Sequence, residues 1–461
     1  MNYDLIVIGG GPAGYVGAIR AAQLGKKVAC VEMERAGGTC LNWGCIPTKS
    51  LLRNAELFHL MNHRAAEFGF KFDGVSYDWD KIIKRSRDVS DKNAAGIEFL
   101  FKKNKVDYLR GEGILDKPGS VTVKYADGKT ETHTASKVLV TTGVKPRPMP
   151  GFPFDGKKVI SSKEAMIQPK QPKSMIIIGA GAIGIEFAYF YNTFGTKVTV
   201  VEMMPNILPV EDTEVSQTLE KSLSKQGISI LTNTKTTKTE TTADGVKITV
   251  ADAKGVEKVL EAELCLVAIG VQPLLPTGTA KLELTDRGYI KTNDNYETSI
   301  QNVYAAGDII GPPWLAHVAS FEATQAVDGM FGAHKPKRVT TFPGCTYCQP
   351  QVASVGLTER AAKEKGLKYK VGKFPFMASG KARAIGEIEG FVKLIIGEQH
   401  GEILGAHIIG PEATEIIAEL GLAITLEATF EEIEATIHAH PTLSEAVHEA
   451  TGQAYGLAIH I

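Results

Sequence analysis

The stretch D-L-I-V-I-G-G-G-P-A-G, Asp4 to Gly14, decides what kind of chain this is. Asp4–Ile8 is an apolar run that predicts a short buried strand, and Ala13–Leu24 has the composition of a helix. Between them Gly9, Gly11 and Gly14 form a G-x-G-x-x-G. In a strand–turn–helix the first glycine serves the tight turn. The second lets a pyrophosphate approach the helix N-terminus, and the third lets the helix lie close on the strand. A second strand, Lys27–Val31, ends in Glu32, placed to accept hydrogen bonds from a ribose hydroxyl. The alternative for the glycines alone is an ordinary glycine-rich turn.

The pattern then occurs again. Ser174–Ile178 is apolar, G-A-G-A-I-G runs from Gly179 through Gly181 and Ile183 to Gly184, Ile185–Phe194 reads as a helix, and the strand Lys197–Val201 ends in Glu202. Two such units predict two bound dinucleotides. An acid at the end of the second strand suits the free 2′-hydroxyl of NAD and repels the 2′-phosphate of NADP. The residues after it, M-M-P-N-I-L-P, include no arginine to hold a phosphate.

Directly after the first unit comes G-G-T-C-L-N-W-G-C-I-P-T-K-S, Gly37 to Ser50. Cys40 and Cys45 have four residues between them. A disulfide needs its Cα atoms within ~7 Å, whereas five steps along a regular helix climb ~7.5 Å. A bond between these sulfurs therefore requires a turn or an irregular first helical turn, which Gly37, Gly38, Gly44 and Pro47 permit. The spacing fits either a strained disulfide that cycles or two buried free thiols.

With 461 residues the chain exceeds one core and should hold about three domains. A net charge of -1 gives no general pull toward nucleic acid or an anionic membrane. The opening residues lack a basic, cleavable apolar leader, and no apolar run is long enough for a bilayer. Six cysteines are too few for a disulfide scaffold, so a reducing, cytoplasmic setting fits best.

Elsewhere, Leu51–Glu67 reads as a helix and Asp73–Phe101 as two charged surface helices. Val106–Gly113 resembles a strand, Ser120–Tyr125 and Thr130–Thr134 a hairpin, and Lys137–Thr142 a buried strand ending at Gly143. Leu264–Ile269 parallels it, ending at Gly270, and Val303–Ala306 leads into Gly307 and Asp308. Pro146–Pro153 marks a boundary. Cys345 and Cys348 form a C-x-x-C, but nothing nearby completes a zinc site, so no metal is expected and the pair reads as structural.

Three passages carry a resemblance over essentially the whole chain: G-G-T-C-L-N-W-G-C-I-P-T-K, A-A-G-D at 305–308, and H-A-H-P-T-L-S-E from His438. Together they resemble the disulfide-linked flavoprotein reductases, the class I pyridine nucleotide-disulfide oxidoreductases, and most closely the branch that oxidises dihydrolipoyl groups. The resemblance implies an α/β chain with two Rossmann-like domains, for FAD and NAD, and a C-terminal α+β dimerisation domain. Its boundaries would be 1–148 and 272–338 for FAD, 149–271 for NAD and 339–461 for the dimer.

It further implies a redox-active disulfide in which Cys45 faces the flavin and Cys40 exchanges with substrate. Lys49 would sit by the flavin and pair with Glu186. His440 would be the catalytic base, acting on the partner subunit's disulfide, and Glu445 its orienting carboxylate. Gly9, Gly11, Gly14, Glu32, Thr39, Lys49, Gly113, Thr142, Gly143, Asp308 and Ala316 would line FAD. Gly179, Gly181, Ile183, Gly184, Glu202 and Gly270 would line NAD. Lys49 could otherwise be an ordinary solvated helix charge, Asp308 a turn residue and His438 a structural histidine. The implied partner is a lipoylated acyltransferase of a 2-oxoacid dehydrogenase complex or the lipoyl protein of glycine cleavage. Val271–Gln272 and Val318 stand where the family often carries an arginine and a lysine near the cofactors. Glutathione-type reductases share the architecture but use NADPH, and a non-enzymatic scaffold would leave Cys40, Cys45 and His440 without a role.

Overall fold

A computed structural model describes residues 2–278 and 280–461. The chain divides into two compact units. The first comprises Met1–Leu51, Asp80–Arg147 and Gly270–Thr340, and the second Leu52–Trp79, Pro148–Ile269 and Thr341–Ile461.

In the first unit, the strand Asn2–Ile8 pairs in parallel with Val28–Glu32 on one side and with Thr130–Val140 on the other. Asp107–Lys117 and Val303–Ala305 extend the parallel sheet at its two edges. The two long strands are shared. Beyond Arg110 the first turns into an antiparallel meander with Ser120–Tyr125, which also takes the early residues of Thr130–Val140. Both sheet faces are covered, as parallel sheets require. Leu5 and Val7 pack with Ala18, Ala21, Ala323 and Val327 of the helices, and Ile6 and Ile8 pack with Val121, Val123 and Ile309. The hairpin strand Thr130–Thr134 and the buried strand Lys137–Thr142 are thus one continuous strand, Thr130–Val140.

Two further expectations are corrected. Residues 73–101 do not form two helices: one 25-residue helix runs from Trp79 to Lys103. Its buried stripe is Ser86, Ser90, Ala94, Ile97 and Phe101. Serine and alanine pack closely there without registering as hydrophobic period. The helix read as Leu51–Glu67 starts earlier, at Cys45, and ends at His59. Pro47 lies in its first turn, where a missing N–H costs nothing. One π turn, Leu60–Arg64, and a 3₁₀ turn, Ala65–Phe68, follow it.

The second unit contains a five-stranded parallel sheet ordered 229–231, 197–201, 174–178, 264–267 and 159–160. It also holds a three-stranded antiparallel sheet and a five-stranded antiparallel sheet ordered 343–346, 351–356, 403–410, 391–397 and 369–375. Residues 52–79 join this unit through aromatics: Phe58 stacks on Phe194 at 5.0 Å, and the Trp79 indole donates to Gln168 O at 2.9 Å. No helix among the described residues is long and apolar enough to cross a membrane.

A buried ion cluster is also within this unit. Lys393, 2% exposed, donates to Asp212 Oδ1 at 2.9 Å and to Glu359 Oε2 at 2.8 Å. Its bond to Glu359 is the main reason that carboxyl drops to about 2, against burial. A depressed carboxyl pKa contributes stability above its ordinary range, and the contribution is lost as pH falls through the folded-state value. Lys393→Ala leaves Asp212 buried and unpaired, so urea unfolding should show a loss of about 3–5 kcal/mol. The variant should also lose the part of the acid dependence of stability that lies between pH ~4.5 and ~2.

Candidate active site

In the first glycine turn, the chain itself demands two of the three glycines. A Cβ on Gly9 would lie 2.4 Å from Thr141 O, and one on Gly14 would lie 1.8 Å from Gly9 O. Gly11 differs: a Cβ there would meet only Gly38 Cα, at 3.8 Å. The second turn repeats this. Cβ atoms on Gly179 and Gly184 would lie 2.5 Å from Ala268 O and 2.0 Å from Gly179 O, whereas Gly181 faces open space. Each helix, Pro12–Gln23 and Ala182–Thr193, begins at its middle glycine with no side-chain cap and no acid in its first turn. Free N–H groups at a helix N-terminus bind anions. Both turns therefore fit the pyrophosphate of a dinucleotide.

The strand-end acids are equally matched. Glu32 accepts from Gly10 N and Glu34 N, both at 2.7 Å. Glu202 accepts from Ala180 N at 2.7 Å and Met204 N at 2.8 Å. Each carboxylate is clamped with one backbone donor per oxygen and keeps lone pairs for a ribose. Burial pushes Glu32 up despite those bonds.

Further cofactor candidates sit in the same first unit. The Thr142 hydroxyl is buried with no hydrogen-bond partner. Burial pushes the Asp308 carboxyl up to about 6. An orphaned hydroxyl and a buried carboxyl fit a polar ligand that completes them. Gly143 and Gly270, both with positive φ, face open space. Ala316 opens an uncapped helix, Ala316–Met330, which carries Val318 as a buried residue. Thr39 is exposed. Gly113 is spoken for by packing, since a Cβ there would lie 2.8 Å from Ile8 Cγ2. Ile183 is 45% exposed beside the open Gly181.

The cysteine segment rests on the first glycine turn. Gly37 N donates to Gly10 O at 2.8 Å, and a Cβ on Gly38 would lie 2.5 Å from Gly11 Cα. Cys40 lies in the helix Gly38–Trp43, Gly44 breaks that helix with φ -144° and ψ -114°, and Cys45 starts the next. This break brings the two side chains into hydrogen-bonding contact. The bond to Cys45, then burial and the charge of Cys45, push the Cys40 thiol far up, while Lys49 draws it down.

The helix Trp79–Lys103 braces this segment: Ser90 Oγ donates to Leu41 O at 2.7 Å, Ser86 Oγ to Pro47 O at 3.2 Å, and Arg85 Nη1 to Ser50 Oγ at 2.6 Å. Sequence reading missed these serines, as it missed Tyr15. Burial, then the charges of Cys40 and Cys45, push the Tyr15 phenol up. Tyr15 lines a groove of about 440 Å³ with Arg20, Thr324, Asp328 and His334. Its place directly after Gly14 was the only sequence signal.

In the second unit His440 Nδ1 lies 2.8 Å from Glu445 Oε1, and Glu445 Oε2 accepts from Thr442 N at 2.7 Å. Burial acts to raise the Glu445 carboxyl, but Thr442 N–H and His440 hold it below the ordinary carboxylate range. His440 is 79% exposed, so its free nitrogen faces outward. His438 differs: it is 8% exposed, with Nε2 at 2.7 Å from Glu419. Glu186 is buried and accepts from Tyr347 N at 3.0 Å. Lys49 and Glu186 belong to different units. Cys345 lies in the strand Pro343–Thr346, and the buried Cys348 thiol donates to Pro350 O at 3.4 Å.

The profile of the pyridine nucleotide-disulphide oxidoreductases matches residues 3–323, and that of their dimerisation domain matches 342–451. The chain belongs to this family. It is 45% identical to dihydrolipoyl dehydrogenases of Rhizobium etli and Bacillus subtilis, over 100% of this chain and 99% of each of theirs. A mitochondrial dihydrolipoyl dehydrogenase of Arabidopsis thaliana is 41% identical over 99% of this chain and 91% of its own. The crystal structure of LpdA from Mycobacterium tuberculosis matches with a TM-score of 0.89 at 27% identity, covering 97% of this chain and 98% of that one. The enzyme class is that of the dihydrolipoyl dehydrogenases, an FAD- and NAD-dependent flavoprotein class. The matched dimerisation domain supports a homodimer.

The middle and third glycines of the family's second turn separate binding from folding. Gly181→Ala should melt as the parent does but raise the KM for NAD about tenfold. Gly184→Ala should fail to fold or melt far lower, because its Cβ meets backbone.

Proposed function

We propose that this chain oxidises protein-bound dihydrolipoyl groups to the lipoyl disulfide and reduces NAD⁺ to NADH. The observation that carries the reading is the Cys40–Cys45 contact across the Gly44 break, seated on the first dinucleotide turn with the charge of Lys49 beside it. A dihydrolipoyl thiolate attacks Cys40 of the oxidised pair, breaking the Cys40–Cys45 bond and forming a mixed disulfide. The second dihydrolipoyl thiol displaces Cys40, so lipoyl disulfide leaves and both cysteines are reduced. The pair returns to the disulfide by giving up two electrons and two protons. FAD, when bound, would supply the two-electron relay to NAD⁺, which takes up two electrons and one proton as NADH while the second proton passes to solvent. Cys45 faces the flavin and Cys40 meets substrate.

His440 takes the proton from the incoming thiol, since a thiol attacks only as thiolate. Glu445 holds the imidazole tautomer through Nδ1, leaving the exposed nitrogen for substrate. In the dimer His440 serves the partner's cysteine pair. FAD is assigned to 1–148 with 272–338, NAD to 149–271, and the dimer contact to 339–461. Gly9, Gly11, Gly14, Glu32, Thr39, Lys49, Thr142, Gly143, Asp308 and Ala316 are assigned to FAD, with Gly113 supporting the strand beneath. Gly179, Gly181, Ile183, Gly184, Glu202 and Gly270 are assigned to NAD, with Glu186 as the proposed partner of Lys49. The lipoyl group comes from a 2-oxoacid dehydrogenase acyltransferase or the glycine-cleavage lipoyl protein, in a reducing cytoplasm.

Cys45→Ser should abolish dihydrolipoamide oxidation yet keep NADH-to-dye activity; equal loss of both would count against this electron route. His440→Gln should cost about 10²–10⁴-fold in dihydrolipoamide oxidation with dye reduction retained. Anaerobic turnover with NADPH and glutathione disulfide, but none with dihydrolipoamide and NAD⁺, would overturn the assignment.

A further inference from the structure

The helix that begins at Cys45 ends at His59, and the π turn Leu60–Arg64 that follows carries His63. Nothing in the proposed reaction uses either histidine. We propose that His59 and His63 form a two-imidazole site for one divalent transition-metal ion of the copper, nickel or zinc class.

The spacing is i,i+4, which places both rings on one helical face. Their ring centres are 4.9 Å apart with planes tilted by 41°. A metal–nitrogen bond of ~2.0–2.1 Å sets each ring centre ~3.2 Å from a shared ion. At bond angles between ~90° and ~109°, the two centres then stand ~4.5–5.2 Å apart. The observed separation lies inside that window, so the rings need only turn about their bonds to share an ion. His63 is exposed and His59 half-buried, which gives the ion access.

The surroundings favour neutral imidazoles. Burial, then the neighbouring His63 and Arg64, lower the proton affinity of His59, so its lone pair is available near neutral pH. Arg64 is not a free repelling charge, because it pairs with Glu67 at 3.0 Å and with Glu387, and donates to Gly386 O at 2.6 Å. Glu56, one turn before His59, is paired with Arg53 at 2.7 Å. Asn62 Nδ2 lies 3.3 Å from His63 Nε2, a long contact that an ion would displace.

No group of three or more His, Cys, Asp or Glu among the described residues is placed to hold a metal. The site therefore offers two protein ligands, with water completing the shell. That is the form of an exchangeable site, unlike the closed four-ligand sites of structural zinc. Imidazole pairs rank the ions Cu²⁺ above Ni²⁺ and Zn²⁺. The bound ion ties the last turn of the cysteine-bearing helix to the π turn after it.

The test uses oxidised, EDTA-washed holoenzyme, in which Cys40 and Cys45 do not compete as thiols. Equilibrium dialysis against Ni²⁺ should give one ion per chain, and Cu²⁺ should show an EPR pattern from two nitrogens. His59→Ala and His63→Ala should each lower affinity by at least about tenfold, the least that losing a mere supporting hydrogen bond costs a metal site. The unchanged flavin spectrum confirms that each variant is folded, and His460→Ala should bind as the parent does. Uptake unaltered in both histidine variants, a one-nitrogen EPR pattern, or no saturable binding in the parent would overturn the site.

Discussion

Backbone against backbone, the contact of Gly38 with Gly11 is what the rest of this molecule depends on. A Cβ on Gly38 would lie 2.5 Å from Gly11 Cα, and the Gly37 N–H closes the junction onto Gly10 O at 2.8 Å. Only glycine permits two main chains to approach so closely. The contact seats a cysteine-bearing segment directly on a phosphate-binding turn. The cysteine pair and the first glycine turn thereby share one rigid element.

The segment so seated would still have loose carbonyls, because two short helical starts meet at the Gly44 break. The helix Trp79–Lys103 takes them up with Ser86, Ser90 and Arg87, the last donating to Asn42 O at 2.8 Å. Small hydroxyls serve here because they reach a neighbouring carbonyl without holding the helices apart. These bonds hold the break at Gly44 in one arrangement. In the second unit a comparable stiffening comes from charge, with Lys393 bonded to Asp212 and Glu359.

What was legible in the sequence was local. The strand-end acids Glu32 and Glu202 and the C-terminal His440 and Glu445 all lie within about thirty residues of the groups they bond to. Hydrogen bonds over such distances follow from the geometry of a strand, a turn and a helix. The long helix 79–103 was misread because its buried stripe is built of serine and alanine. The continuous strand 130–140 was misread because its early residues pair antiparallel with 120–124 and its later ones parallel with 2–8, with a different burial pattern in each half.

The amino-acid sequence by itself determined the two dinucleotide turns, the pairing of His440 with Glu445, and the family, since each depends on residue types at short fixed spacings. Only the tertiary structure decided how the cysteine segment is held, which groups crowd Lys393, and that Leu52–Trp79 joins the second unit. Those outcomes come from packing between segments far apart in the chain, where shape and buried hydrogen bonds select the partner. No short spacing encodes them. The Gly37–Gly38 pair stands between the two cases: its glycines are plain in the sequence, but the backbone they admit comes from a turn nearly thirty residues earlier.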